Sequence, residues 1–502
     1  MNCGVNIAIG IVSLAAVAML AAPAAGGVGD VKVTTDTSID CSSIQSIARD
    51  LYKDCKSDKE KAIATWYFVR RVHYHWPHIP TWNSIDLINS YGFALCGYQS
   101  NMYCQIATAG GLKARTMHPD RHVIAEAFYD GAWHMFDCQV GWYALNRKGA
   151  VASCAEMKKD PTIVTDAVKE GRASQPYFQC RDDPKGGTNY AATARTGGSK
   201  RAPKNRLIIN LRRGESISRV WGNEGKPWHQ LKDNRGFVSP RHSCTGQAID
   251  ANDPVNWPFW KPYAQVRSKE GENVRYGIKR YYGNGRMVYE PDLATDAFTD
   301  GLIKNGLAGV AAKQGSSLHP AKAGEAGTAT FVIDSPYVAV DAWLELEGLR
   351  TGEKDVLAVH VRKTKGKWTK VWSAEKTGKV KAEKISLKDA AWQSHQFFVR
   401  FELSAAAKVT DVGLEGFKVT TVFMNNMYAL PYFKPGKNTV RVAAAKGADL
   451  KANRLTLEYV WQEQGKERKL AKAIDKLPFE TTVTVAGKEI PRMKSVTLSV
   501  AK

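Results

Sequence analysis

Cys96 is the residue in this chain whose type and position best suit covalent chemistry. It follows a turn-prone Tyr91-Gly92 pair and precedes a run, 97–109, whose pattern predicts a helix ended by Gly110-Gly111. A cysteine at a helix start meets the positive end of the helix dipole, which favours the nucleophilic thiolate over the thiol. The alternative is that Cys96 is only a small, buried apolar residue.

A β-hairpin predicted downstream of Cys96 supplies the groups that such a nucleophile needs. Asp130-Gly131 separates two apolar runs, 122–129 and 132–137, and is a strong two-residue hairpin signal. Folding about this turn pairs Tyr129 with Ala132, Ala127 with His134 and Ile124 with Asp137. Because strand side chains alternate between faces, His122 and Asp137 become diagonal neighbours on one face. Cysteine, histidine and aspartate then provide a nucleophile, its base and the group that orients the base.

Four motifs between Lys59 and Gly141, about a sixth of the chain, share their order and spacing with one known family. They are Leu95-Cys96-Gly97, Gly111-Leu112-Lys113-Ala114-Arg115, His122, and Trp133-His134-Met135-Phe136-Asp137. The segment resembles the catalytic core of transglutaminase-like proteins, which belong to the papain-like cysteine peptidase superfamily. The resemblance implies an α+β catalytic domain with Cys96, His122 and Asp137 as its triad. It departs at Tyr98, where the family often has an acidic residue, and this leaves the substrate preference open.

The resemblance also implies a reaction. Cys96 would attack a carboxamide or peptide carbonyl with His122 as base, and water or an amine would accept the acyl group from the thioester. Related enzymes often place a Trp indole N–H beside the oxyanion, so we expect Trp76 or Trp82 to serve with the backbone N–H of Cys96. Hydrolysis is favoured because the sequence supplies no acyl-acceptor lysine site. The alternative is a non-catalytic scaffold that carries a polymer- or carbohydrate-binding β-sandwich.

No metal or organic cofactor is expected, because a Cys-His-Asp triad needs neither. His73, His75 and His78 lie within six residues of one another and suggest a metal site, but no carboxylate or thiolate accompanies them at ligand spacing. No acidic calcium-binding loop is visible in the sequence. The aromatic segment 73–82 is interpreted instead as a wall of the catalytic cleft.

Residues 1–25 predict a secretory signal peptide. An apolar run from Ile7 to Leu20 is followed by Ala22-Pro23-Ala24, a small-residue ending typical of cleavage sites. No Lys or Arg precedes the run, so an uncleaved membrane anchor is the alternative. The protein is therefore expected to be secreted or periplasmic.

Export would also explain the cysteines. All nine lie between Cys3 and Cys244, and the remaining half of the chain has none. Setting aside Cys3 in the signal peptide and the reactive Cys96 leaves seven, which suggests three disulfides and one free thiol. The candidate pairs that close short loops are Cys41 with Cys55 and Cys138 with Cys154. Cys104 falls in the middle of a predicted helix and is expected to be free and buried.

The formal net charge of +22 indicates anionic surroundings. No nucleic-acid-binding motif is present, so we expect an exported protein to meet an anionic cell-envelope polymer or polysaccharide besides its protein or peptide substrate. Ten Lys or Arg and only two acids lie between Arg362 and Lys388. This segment is either a solvated sheet edge that discourages strand pairing or a contact for an anionic polymer. The sequence does not predict the oligomeric state.

The length of 502 residues suits about three domains. The predicted catalytic domain covers 26–160, with a flexible lead-in over 26–40, and a mixed or β extension with long loops covers 161–300. A Gly- and Ala-rich stretch, 301–327, reads as a linker, and 328–502 reads as an antiparallel β-sandwich or jelly roll. Predicted helices are 42–53, 58–72 and 83–90, and predicted C-terminal strands are 328–334, 338–347, 355–362, 367–373, 396–403, 413–423 and 438–442, with at least three more over 454–500.

Overall fold

The structure is a computed structural model that describes residues 26–75, 81–119, 122–139, 141–172, 195–197, 206–226, 282–313 and 317–502. The predicted signal peptide, 1–25, lies outside these residues, as do Cys180, Cys244 and Trp76. Within the described ranges, no helix combines the length and the apolar composition needed to cross a bilayer.

The first third of the chain is α+β. Its helices are α1 (Ile44–Tyr52), α2 (Asp58–Val72), α3 (Ser84–Asp86), a π-helix (Leu87–Tyr91), α4 (Cys96–Ala109), α5 (Cys154–Lys159) and α6 (Thr162–Lys169). Its strands are β1 (Lys32–Thr35), β2 (Tyr74–His75), β3 (Phe93–Ala94), β4 (Lys113–His118), β5 (Ile124–Tyr129), β6 (Ala132–Phe136) and β7 (Arg195–Gly197). The predicted helices over 58–72 and 97–109 are thus confirmed almost to the residue.

Helix α2 shows why the local predictions succeed. The Ser57 hydroxyl accepts a hydrogen bond of 3.2 Å from the N–H of Glu60, which satisfies one of the unpaired donors of the first turn. The apolar side chains Ala62, Trp66 and Val69 are fully or almost fully buried, and from Ala62 to Val72 the helix is buried on nearly every side. A capped start and apolar packing, in part against α4, therefore stabilise this helix.

Strands β4 to β7 form an antiparallel sheet in the order β6-β5-β4-β7. Asp130 and Gly131 both have positive φ, 49° and 75°, as a type I′ hairpin turn requires. The predicted pairs of Tyr129 with Ala132 and of Ala127 with His134 are confirmed. The ladder stops one pair short of Asp137, because this residue exchanges backbone hydrogen bonds with Trp142 instead.

The remainder of the chain is mostly β. Its strands are β8 (Glu215–Val220), β9 (Tyr282–Tyr289), β10 (Leu302–Ala308), β11 (Val310–Lys313), β12 (Ser317–Pro320), β13 (Ala326–Arg350), β14 (Val356–Lys363), β15 (Thr369–Ser373), β16 (Gly378–Ser386), β17 (Ser394–Ser404), β18 (Val412–Asn426), β19 (Gly436–Ala443), β20 (Leu455–Glu463), β21 (Lys466–Ile474), β22 (Phe479–Val485) and β23 (Arg492–Val500). In the described part of this region, short helices lie between the strands: 3-10 turns over Asp296–Gly301, Val409–Asp411 and Met427–Ala429, and α7 (Lys388–Ala391).

These strands form two antiparallel sheets. Fourteen of them make one large sheet, and β1, β19 and β22 make a second one of three strands. The organising strand is β13, 25 residues long: its first part pairs with β17, and its second part pairs with β16 and β18. The mostly-β antiparallel C-terminal region is confirmed. The seven strands predicted between 328 and 442 fall on six observed strands, because the first two, 328–334 and 338–347, are parts of the single long strand β13.

Three predicted segments differ from the structure. The expected lead-in, 26–40, contains β1, which pairs with β19. The expected linker, 301–327, contains β10, β11 and β12, and β8 and β9 of the expected extension join the same large sheet. Glycine in 301–327 signals close packing rather than flexibility, since a Cβ on Gly327 would collide with the carbonyl oxygen of Gly309.

One hydrophobic core joins the helices to the large sheet. Side chains of α2 and α4 share a buried cluster with Val338 of β13 and with Val422 and Met424 of β18. The Asn426 side chain, fully buried, donates hydrogen bonds to the carbonyl oxygens of Val72 (2.8 Å) and Ile88 (2.7 Å). The α+β part and the β-region are therefore packed as one body rather than linked by a tether.

Candidate active site

The nucleophile candidate lies where a short strand turns into a helix. Strand β3 pairs in parallel with β2, and Leu95, extended, leads directly into α4, whose first residue is Cys96. The amide of Gln99 donates a hydrogen bond of 2.9 Å to the carbonyl oxygen of Ala94 and so braces this turn from within the first helical turn. Cys96 is partly exposed. Its thiol therefore sits at the positive end of α4 and within reach of solvent.

His122 and Asp137 form a short hydrogen bond. The Nε2 of His122 lies 2.6 Å from Oδ2 of Asp137, whose side chain is completely buried. The second carboxylate oxygen, Oδ1, accepts the N–H of Gln139 at 2.9 Å. With both carboxylate oxygens accepting hydrogen bonds, Asp137 is held in place and fixes the orientation of the imidazole ring.

The third contact completes the arrangement. His122 also hydrogen-bonds to the side chain of Cys96. Because Nε2 is engaged by Asp137, the nitrogen that faces the sulfur is Nδ1. The structure thus brings together all three residues selected from the sequence, while the catalytic role of each stays a prediction.

The pKa of His122 reflects its two partners. Burial of the ring works against protonation, but the charge of Asp137, the hydrogen bond to it and the contact with Cys96 outweigh burial and raise the pKa from 6.5 to about 10. The imidazolium is therefore the resting form near neutral pH. An imidazolium beside a thiol is the electrostatic setting in which a cysteine gives up its proton most readily.

Two further residues hold the triad in place. The hydroxyl of Ser100, one turn along α4 from Cys96, donates a hydrogen bond of 2.9 Å to the carbonyl oxygen of Val123, the neighbour of His122. The buried indole N–H of Trp66 donates a 2.9 Å bond to the carbonyl oxygen of Asp137. Ser100 thus ties the histidine segment to the nucleophile helix, and Trp66 ties the aspartate to α2.

Sequence reasoning missed both roles. Ser100 follows Cys96 by four residues, so a helical projection places them on one face, and this was the available signal. The sequence marks Trp66 only as an apolar residue within the predicted helix 58–72. Its bond to a residue 71 positions away in the chain could not be foreseen without the fold.

An aromatic pair lies beside the start of α4. The ring of Trp82 stacks on that of Tyr98, with centroids 3.7 Å apart and planes 18° apart. Trp82 is 54% exposed, the one large hydrophobic residue so open to solvent in the described part of the chain. The oxyanion role of these groups stays a prediction. The N–H of Cys96 lies in the first turn of α4, where it has no intrahelical acceptor, and Trp82 stacks on Tyr98, two residues further along the helix. Trp76 falls outside the described residues.

The cysteines do not pair as the sequence suggested. Cys41, Cys55, Cys138 and Cys154 are all free thiols, so neither Cys41–Cys55 nor Cys138–Cys154 forms a disulfide in the structure. Cys104 is free and buried within α4, as expected. Burial raises the pKa of Cys41, Cys104, Cys138 and Cys154 far above the ordinary range, and burial with the nearby Glu60 raises that of Cys55 to about 11. The short loops between these cysteines predicted disulfides wrongly, because packing places the two thiols of each pair in separate environments.

The histidines of the aromatic segment 73–82 raise the question of a metal site. Over the described ranges, no set of three or more His, Cys, Asp or Glu side chains is placed to hold an ion. His73 is buried, its Nδ1 lies 3.3 Å from the carbonyl oxygen of Val69, and burial lowers its pKa to about 4. His73 is therefore a neutral core residue at the end of α2. His78 lies outside the described residues.

Comparisons with known proteins do not identify the chain. It matches no model of a protein family, and no curated protein proved similar to it. The case for the site consequently rests on the residues themselves: a partly exposed cysteine at a helix start, a histidine bonded to it, and a buried aspartate bonded to that histidine.

Proposed function

We propose that this protein is an exported cysteine-dependent acyl-transfer enzyme, with a transglutaminase-like (papain-like) catalytic domain followed by an antiparallel β-sandwich. The observation that carries the proposal is the bridging position of His122, which bonds at once to the Cys96 thiol and to the Asp137 carboxylate. A structural histidine needs no such partners. A nucleophilic cysteine needs both of them. The proposed export rests on residues 1–25, whose apolar run and small-residue ending are typical of a signal peptide.

The first half of the reaction follows from this geometry. Nδ1 of His122 holds the proton of Cys96, and the thiolate attacks the carbonyl carbon of an amide. The new C–S bond pushes the carbonyl electrons onto oxygen, where the backbone N–H of Cys96 stabilises the charge. As the C–N bond breaks, the imidazolium of His122 gives its proton to the leaving amine, and a thioester remains on Cys96.

The second half releases the acyl group. His122, now neutral, removes a proton from water, and the hydroxide attacks the thioester carbonyl. Collapse of this intermediate expels the thiolate, which recovers its ion pair with the imidazolium. Asp137 stays ionised throughout and holds Nε2–H, so the ring presents the same nitrogen in both halves. An amine in place of water gives transamidation by identical steps.

The proposed substrate is a peptide or a glutamine-like carboxamide. Cys96 is partly exposed, and the stacked rings of Trp82 and Tyr98 offer an aromatic surface at the start of α4. Such a surface can pack against the apolar parts of a peptide. Hydrolysis is the proposed main outcome, because the sequence supplies no acyl-acceptor lysine site.

The proposal is tested by comparing the full-length protein with its Cys96→Ala and Cys55→Ala variants on peptide, glutamine-amide and cell-wall peptide substrates. Release of ammonia or amine should disappear in Cys96→Ala and persist in Cys55→Ala, which removes a half-buried thiol outside the site. Mass spectrometry of a trapped reaction should show the acyl group on Cys96. An unchanged rate in Cys96→Ala would reject the proposal in favour of a non-catalytic scaffold.

A further inference from the structure

A positively charged patch lies on the β-region, far along the chain from Cys96. Strands β14 and β17 alternate buried apolar residues with more exposed ones, so one face packs on the core and the other meets solvent. On the solvent face Arg362 lies opposite Phe398, and His360 lies opposite both Arg400 and Lys370. The name arginine patch is used below for Arg362, Trp368, Lys370 and Arg400.

The two arginines of this patch are held close together by one aromatic ring. The guanidinium carbon of Arg400 lies 3.9 Å from the centre of the Trp368 ring, and that of Arg362 lies 5.0 Å from it. Arg362 also lies 4.4 Å from the ring of Phe398. Burial and the charge of Arg362 together lower the pKa of Arg400. Two like charges are therefore kept near each other at an electrostatic cost, which cation–π contacts offset in part.

The carboxylates that border the patch are already engaged. Glu402 bonds to Nε2 of His360 at 2.8 Å, and Asp334 accepts the amide of Gln396 at 2.7 Å. No ion pair with a described residue reaches either arginine of the patch. The Nε of Arg362 is moreover buried with no hydrogen-bond acceptor among the described residues. The charge of Glu402 favours the protonated form of Arg400, and Nε of Arg400 donates a 3.2 Å hydrogen bond to the Thr330 hydroxyl. Among the described residues, however, no carboxylate pairs directly with either guanidinium, which leaves donors available to an external anion.

Lysines extend the positive surface around the arginines. Lys363, Lys365 and Lys367 are exposed in and beside the turn that joins β14 to β15. Exposed lysines such as these are enough to protect a sheet edge against pairing with another strand. Such protection does not require two half-buried arginines beside a tryptophan. The arginine patch therefore has a structure that edge protection does not explain.

We propose that the arginine patch binds an acidic polysaccharide through carboxylate or sulfate groups, independently of the chemistry at Cys96. Guanidinium forks match such groups in geometry and charge. Trp368 already contacts both arginines, so a nucleic-acid base that stacked on it would compete with these cation–π contacts. No large hydrophobic side chain of the described β-region is exposed, so none can insert into a bilayer. An extended sugar chain with regularly spaced anions fits a flat sheet face edged by lysines.

The test measures binding of the full-length protein to an immobilised sulfated polysaccharide (heparin) and a carboxylated one (polygalacturonate). The variant Arg362→Gln/Arg400→Gln removes two charges from the patch, and Lys379→Gln/Lys381→Gln removes two from exposed positions on β16. The patch variant should lose about tenfold in affinity and the control about twofold or less, since charge-assisted bonds exceed screened surface charges. Arg362→Lys/Arg400→Lys, which keeps the charge without the fork, should fall between them.

Each of the other outcomes overturns the proposal. Equal loss in the patch and β16 variants would mean that only net charge matters. Tighter binding to a single-stranded oligonucleotide or to phosphatidylserine vesicles than to either polysaccharide would assign the patch to another ligand class. Absence of binding by the unaltered protein would leave edge protection as its role. Unchanged labelling of Cys96 by iodoacetamide in every variant verifies that the fold is intact, whether or not Cys96 is catalytic.

Discussion

The hydroxyl of Ser100 donates a 2.9 Å hydrogen bond to the carbonyl oxygen of Val123, and through it the nucleophile helix holds the backbone next to His122. Along the chain, α4 and His122 are separated by β4 and the loop that follows it. This bond therefore helps to hold the imidazole ring near the Cys96 sulfur, together with the bond of His122 to Asp137. Ser100 is a positioning residue, because its hydroxyl bonds to the backbone of Val123 and not to the Cys96 sulfur or the His122 ring.

Replacing Ser100 with Ala should weaken catalysis more than stability. The lost hydrogen bond is worth about 1 kcal/mol in unfolding free energy, while a displaced imidazole should reduce kcat by about tenfold or more. The pH profile of Cys96 alkylation should shift in parallel, which a purely structural defect does not cause. Ser100→Thr keeps the hydroxyl and should restore most of the rate. A wild-type pH profile in Ser100→Ala would show that α4 and the histidine segment are aligned by other contacts.

Replacing Asp137 with Asn should leave the fold largely intact and reduce the rate by about 10³-fold or more, as neutralising the carboxylate of a triad does. The charge and hydrogen bond of Asp137 are the main causes of the high pKa of His122, so that pKa should fall from about 10 towards its ordinary 6.5 or lower. Kinetics and NMR titration of the imidazole measure the two effects separately. Asp58→Asn, on the exposed surface of α2, is the matched control.

Thiol labelling should separate Cys96 from the other cysteines. At pH 6 iodoacetamide should modify Cys96 first, because the start of α4 and the neighbouring imidazole of His122 favour attack by its sulfur. Cys55 is the internal control: it is also partly exposed, but its pKa is raised to about 11. Peptide mapping after short exposure gives both rates from one sample. If Cys55 reacts as fast as Cys96, the helix start and His122 do not activate the sulfur.

The raised pKa of His122 also links stability to pH. A histidine whose pKa is higher folded than unfolded stabilises the fold fully below the unfolded value, 6.5, and loses that contribution as pH rises through about 10. Urea unfolding at pH 6, 8 and 10 should therefore show a decline in the wild type. The decline should be smaller in His122→Gln, which has no ring to titrate. Parallel curves for the two proteins would contradict the assigned shift.

Features fixed by neighbouring residues were predictable. The turn at Asp130-Gly131 needs positive φ at both positions, and few other dipeptides supply it, so the hairpin register and the approach of His122 to Asp137 could be predicted. Helix α2 likewise carries its own cap at Ser57 and its own apolar face. In these cases the short-range sequence determines the local geometry on which the site depends.

Features set by distant residues were not predictable. Lys32 pairs with Ala443, more than four hundred positions away. The alternating run from Val31 to Thr35 suits a strand, but it does not say which distant strand it pairs with. The lysine-rich strand β16 was missed as a strand because its charged side chains face solvent, while Ile385 faces the core. The support of Asp137 by Trp66 belongs to the same class. Such pairings depend on a packed partner, which composition alone does not reveal.

The buried amide of Asn426 has a consequence for how this protein can be divided. Any fragment that ends before β18 leaves the carbonyl oxygens of Val72 and Ile88 without their donor and uncovers the apolar surface that Val422 closes. Such a truncated product is expected to aggregate rather than to behave as a minimal enzyme. Modular proteins often evolve by exchanging whole segments. In this protein, a C-terminal half taken from a relative should fit only if it supplies an asparagine in the place of Asn426.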